Sequence, residues 1–308
     1  NSAAPSPVTD GKHVWAFFAD GSLGCYDFEG NPVWTINVQE RYGKFDIAFG
    51  MTSTPVLHQD KLYLQLIHSG GAKVVALQKD TGKEAWAVPR PSDAHSECEH
   101  AYASPIVYDD GTTRFLLTHG ADYSIAFDLQ DGHEIWRVGG LHPAERYDPS
   151  LRFVSSPVAA DGMIVVPSAK KGFTVAVKPS GQGNITGQQE FYHWTFDVTP
   201  DVPSPLILGD YVYLCRENGN LICLERATGK QVYEERTNRI RHRASPVYGD
   251  GKLYLSGRDG KVTVVQPGPE FKILAQNDIG ESLAASPAIS GGRIYLRTFD
   301  ALWAIGDQ

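Results

Sequence analysis

Seven Ser/Thr-Pro pairs divide the chain at near-regular intervals: Ser6-Pro7, Thr54-Pro55, Ser104-Pro105, Ser156-Pro157, Ser204-Pro205, Ser245-Pro246 and Ser286-Pro287. Successive prolines lie 48, 50, 52, 48, 41 and 41 residues apart. A period of roughly 40–50 residues belongs to propellers and solenoids, in which one small unit recurs and each unit covers its neighbour. The chain therefore reads as a single domain over residues 1–308, with repeats starting near 6, 54, 104, 156, 204, 245 and 286.

Each repeat follows one script. The Ser-Pro pair opens a short apolar strand, as in "SPIVY", and a Gly/Asp turn such as "TDGK" or "GDGK" follows. An alternating strand such as "KLYLQLI" comes next, with the period of two expected of a half-buried sheet. A second tight turn ("ADGS", "ENGN", "RDGK") leads to a third strand, and DG or NG there supplies the positive φ that hairpin turns need. A fourth strand begins near "DTGKEAW", "LQDGHEIW", "FEGNPVW" or "RATGKQVY". No ten-residue stretch has a helical period. The expected fold class is all-β: a propeller of four-stranded antiparallel blades, closed so that only short edges remain.

The fourth strand carries a large ring, Trp34, Trp86, Trp136 and Trp194, with Tyr233 in one repeat; a small residue precedes it, Cys25, Ala76, Ala126 or Cys223. A wide ring needs a flat slot between blades, and these positions are assigned to docking. Burying such a ring removes about 150–250 Å² from water. Cys25 and Cys223 thus read as small hydrophobes. With Cys98 and Cys215 they form neither a CxxC nor a vicinal pair, too few for a disulfide framework in 308 residues. A net charge of −8 and a pI near 5.7 argue against nucleic acid as the main partner, since phosphate binding needs a basic footprint. No apolar run is long enough to cross a membrane as a helix.

On the motifs "ALQKDTGKEAW" (76–86), "AFDLQDGHEIW" (126–136), "CYDFEGNPVW" (25–34) and "CLERATGKQVY" (223–233), the whole chain resembles the pyrroloquinoline-quinone (PQQ) repeat family of β-propellers. That family includes quinoprotein dehydrogenases, with PQQ and a calcium ion on the ring axis. It also includes cofactor-free bacterial propellers similar to the BamB lipoprotein of the outer-membrane β-barrel assembly machinery. The chain is most similar to the cofactor-free branch, which implies no cofactor, a periplasmic, cell-envelope or secreted location, and a scaffold role. The vicinal cysteines of alcohol-oxidising members are missing. Members of this texture often have eight blades; seven repeats are visible here, and the expectation is most of an eight-bladed ring lacking its N-terminal part, the alternative being a seven-bladed ring with an open last blade.

Candidate sites fall in the connections before the Ser-Pro pairs. "SDAHSECEHAYA" (92–103) places His95, Glu97, Glu99 and His100 within six residues, either a cation site or a solvated loop; no dedicated metal spacing is present. "TNRIRHRA" (237–244) concentrates Arg239, Arg241, His242 and Arg243. Alternation directs the three arginines one way, to grip an anion or acidic partner or to pair with Asp197, Asp201 or Glu281. "YGKFDIAFGM" (42–51) and "LHPAERYDPSLRFV" (141–154) mix rings and charges in long connections suited to partner contact. The segment 178–194 is an insertion replacing the usual turn. No catalytic, cofactor-binding or metal-ligating set is assigned. The leading reading is a non-catalytic propeller binding a protein or glycan; the alternatives are a PQQ- and calcium-dependent oxidoreductase and a metal- or small-ligand-binding propeller.

Overall fold

A computed structural model describes residues 4–142 and 147–306. Its strands form seven antiparallel sheets, and within each sheet strands adjacent in space are consecutive in the chain, apart from one inserted strand noted below. The first sheet sets the pattern: Val8–Thr9, His13–Phe17, Ser22–Asp27 and Pro32–Asn37. The turn between its second and third strands needs Gly21 at φ 88°, while Asp20 accepts the Ser22 amide through its side chain. One α-helix among the described residues interrupts the strands, Val38–Tyr42, started by the Asn37 side chain, which accepts the amides of Gln39 and Glu40. Packing divides the chain into two compact units, residues 1–157 with 178–191, and 158–177 with 192–308.

In the first unit the reason for Ser or Thr before each proline is visible. The Ser6 amide donates to Thr54 Oγ1 at 3.0 Å, the Thr54 amide to Ser104 Oγ at 3.0 Å, and the Ser104 amide to Ser156 Oγ at 2.9 Å. Each hydroxyl thus satisfies an amide of the preceding repeat and stitches consecutive sheets together. Farther out, the rings close the seams. Trp34 Nε1 donates to Lys79 O (2.8 Å), and Trp86 Nε1 donates to Leu129 O (3.3 Å), both in the following sheet.

The small residues expected to make the slot lie beside the ring within its own sheet: Cys25 opposite Trp34, Ala76 opposite Trp86, Ala126 opposite Trp136. The slot's far wall is a glycine of the next repeat. A Cβ on Gly82 would stand 2.7 Å from Trp34, and one on Gly132 2.6 Å from Trp86. Trp136 is fully buried against Gly181 of the insertion, whose Gly183–Asn184 strand pairs in parallel with Glu134–Val138 and adds a fifth strand to that sheet.

The second unit repeats both devices. Ser204 N–H donates to Ser245 Oγ and Ser245 N–H to Ser286 Oγ, each at 2.9 Å. Trp194, opposite Ala176, donates to Arg226 O at 2.7 Å and covers Gly229, where a Cβ would approach to 2.6 Å. Tyr233 lies opposite Cys223 and against Phe271, ring centroids 5.5 Å apart. The last sheet has three strands, Ala288–Ser290, Arg293–Arg297 and Leu302–Ile305, and leaves Leu302, Trp303 and Ile305 exposed. All four cysteines are buried free thiols.

Candidate functional site

The two units place different chemistry in their long connections. In the first, the 3₁₀ turn Ser96–Glu99 points Cys98 inward and disperses the four side chains expected to act together. His95 stacks on Tyr147 (4.3 Å between centroids, 19° between planes), and its amide donates to the Tyr147 hydroxyl. Glu97 pairs with Arg152 at 2.9 Å. His100 is buried, 2.9 Å from Ser69 Oγ. Glu99 is half-buried and makes no ion pair among the described residues. These four do not converge on a shared point.

The other two long connections do meet this one. Arg152 lies over the rings of Phe49 (4.7 Å) and Tyr102 (5.9 Å), a cation–π arrangement that leaves Phe49 60 % exposed. Residues 143–146 of the 141–154 connection lie outside the described residues. Behind Arg152 sits a group absent from the sequence expectations: Cys98 Sγ is 3.5 Å from His142 Nδ1, which is 3.4 Å from Asp122 Oδ1. Burial pushes the Cys98 thiol up to about 11 and raises the Asp122 carboxyl above its ordinary value. Only His142 and Tyr147-Asp148 (H-x₄-Y-D) lie close in sequence; Cys98 and Asp122 come from other connections, and no local spacing announces them.

In the second unit the arginine row keeps its alternation. Arg239, Arg241 and Arg243 are exposed, whereas His242 is fully buried with Nδ1 2.9 Å from Ile240 O. Burial holds the His242 imidazole below its usual pKa, so this residue belongs to the core and not to a binding face. The acid that meets the arginines is Glu217, not Asp197 or Glu281: Arg241 Nε lies 2.8 Å and Arg243 3.7 Å from Glu217 Oε1. Lys170 bridges Glu217 (3.2 Å) and Asp201 (3.0 Å).

The two carboxyls respond in opposite directions. Burial lifts Asp201 above the ordinary range despite Lys170; Glu217 is buried too, but hydrogen bonds from Asp201 and Lys170 take it below. Beside them opens a cavity of about 260 Å³, lined by Lys170, Lys171, Asp197, Thr199, Asp201 and Arg216 among others. The arrangement can receive a partner carrying both charges.

Comparison with known proteins decides the family. The model of the family described as outer membrane protein assembly factor BamB matches residues 19–236 and 186–307. The chain belongs to the BamB family. Among BamB proteins it is 22 % identical to that of Bordetella pertussis and 23 % identical to that of Yersinia pestis, over 96 % of this chain and 70 % and 71 % of those proteins. It is 26 % identical to BamB of Shewanella oneidensis over 61 % of this chain and 43 % of that protein. The crystal structure of BamB from Moraxella catarrhalis superposes with a TM-score of 0.72 at 16 % identity, covering 97 % of this chain and 83 % of that one. A europium-containing methanol dehydrogenase follows at 0.68 and 10 % identity, with 97 % and 75 % covered. These structural likenesses show the fold, and with the seven sheets they bear out the all-β propeller read from the repeat. No helix among the described residues is long and apolar enough to cross a membrane.

Proposed function

We propose that this BamB-family chain is a non-catalytic scaffold of the cell envelope that holds a protein partner during outer-membrane protein assembly, its repeats working as one domain. Three relatives carry the name outer membrane protein assembly factor, which supports the class of process. The observation that supports a binding surface is the charged cluster of the second unit. Arg241 and Arg243 stay 53 % and 43 % exposed while sharing Glu217, which keeps two guanidinium forks oriented outward beside the cavity. A side chain already anchored at one edge loses less freedom when it meets a partner.

The test is complementation of a strain lacking its own assembly factor. The unaltered protein should restore the amount of folded outer-membrane protein, and the combined change Arg239→Glu, Arg241→Glu, Arg243→Glu should lose at least half of that restoration without altering the melting temperature of the purified protein by more than a few degrees. Full restoration by the reversed variant would remove this surface from the proposal.

A further inference from the structure

We propose that Cys98, Asp122 and His142 form a binding site for one zinc-like divalent transition-metal ion in the first unit. The three residues reach one another from separate connections: Cys98 from the 3₁₀ turn, Asp122 from the hairpin turn after Arg114–Gly120, and His142 from the stretch after Glu134–Val138. Thiolate, imidazole and carboxylate are the donors that zinc takes, and their ligand atoms all lie within 4.8 Å of one another.

The spacing carries the argument further than the donor types. Bond lengths of about 2.3 Å to sulfur and about 2.0–2.1 Å to nitrogen and oxygen, at tetrahedral angles, require S···N edges of about 3.5–3.6 Å and N···O edges of about 3.3–3.4 Å. The observed edges are 3.5 Å from Cys98 Sγ to His142 Nδ1 and 3.4 Å from His142 Nδ1 to Asp122 Oδ1. A second, independent observation points the same way. Asp122 is only 7 % exposed, and its Oδ1 is met at 3.4 Å by His142 Nδ1 without the alignment of a hydrogen bond. A buried carboxylate oxygen left so is costly unless a cation or a donor meets it. One divalent ion bound to a thiolate and a carboxylate leaves no net charge in the pocket, which removes the penalty for burying either anion alone.

Two sets of contacts oppose binding: the Cys98 thiol donates to Leu151 O at 2.6 Å, with Asp148 O at 3.4 Å, bonds that a thiolate gives up. His142 Nε2 accepts the Asp148 amide at 2.9 Å, whereas ligation through Nδ1 leaves the ring's proton on Nε2. That amide must turn away when metal enters, so affinity falls below that of a closed structural zinc site. Binding also releases the Cys98 proton and is stronger at higher pH.

The probe is Co²⁺ added to chelator-treated full chain, followed by competition with Zn²⁺. The expected result is one ion per chain with a thiolate-to-cobalt charge-transfer band that zinc abolishes. Cys98→Ser should lose the band while the three other thiols remain, and the near-isosteric Asp122→Asn should weaken affinity at least tenfold. Should Cys98→Ser fail to fold, the wild-type band and its response to Asp122→Asn decide alone. No band in the wild-type protein, or a band that survives Cys98→Ser, means the three residues form a hydrogen-bonded cluster and overturns the proposal.

Discussion

In the first unit the connection before Ser104 is held by rings. Tyr147 stacks against both His95 and His142, at 4.3 and 4.2 Å, and Arg152 covers Phe49. In the second unit the connection before Ser245 is held by charge, with Lys170, Arg241 and Arg243 gathered on Asp201 and Glu217. Both connections stand at the same place in the repeat, between an outermost strand and the next Ser-Pro pair. Beneath both, the frame is the same: hydroxyl-to-amide bonds between successive pairs, and indoles lying on glycines. The contrast teaches that the frame tolerates either kind of loop, because its own contacts do not pass through them.

That separation can be broken in order of size. Trp86→Ala removes a ring from the seam and should cost about 3–5 kcal/mol in chemical unfolding. A loss no greater than that of a loop variant would mean that the frame is not what carries stability. Tyr147→Ala removes two stacked contacts and should cost about 1–3 kcal/mol, unchanged by salt. Sensitivity of that cost to ionic strength would show that the first-unit connection is ionic after all. Glu217→Gln removes the negative charge that Lys170, Arg241 and Arg243 share, but they are 43–53 % exposed and solvated. The expected cost is about 0.2–1 kcal/mol at low salt, and it should vanish in concentrated salt as screening removes the attraction. A persistent cost in high salt would make packing, not charge, the second connection's support.

Much of the frame was legible because it repeats. Seven Ser/Thr-Pro pairs, the DG and NG turns and the terminal rings recur, and a feature seen several times in one chain averages out local exceptions. Even so, the sequence shows only one wall of the slot. Ala76 and Ala126 neighbour their tryptophans along a ladder, as an alternating strand allows, but Gly82, Gly132 and Gly229 form the opposing wall. Those glycines stand in "TGK" and "DGH", where the sequence by itself marks only the start of a fourth strand. The candidate sites were less legible. Arg241 and Arg243 were named and do face outward together, yet their acid is Glu217, 24 and 26 residues before them in a hairpin turn. In the 92–103 loop attention fell on His95, Glu97, Glu99 and His100, while Cys98 made the cluster with Asp122 and His142. The connections touch loops of other repeats, and sequence distance says nothing about which side chains meet there.

The amino-acid order alone determined that this protein is built of recurrent antiparallel sheets, because period-two alternation and positive-φ turns act over a few residues and are written locally. It also determined which residues are wide rings and which are cations. Tertiary structure alone decided what lies across each seam and each loop cluster: the glycine under an indole, the single glutamate between two arginines, the thiol beside an imidazole and a carboxylate. Those partners are chosen by the stacking of whole sheets, whose geometry depends on every repeat at once.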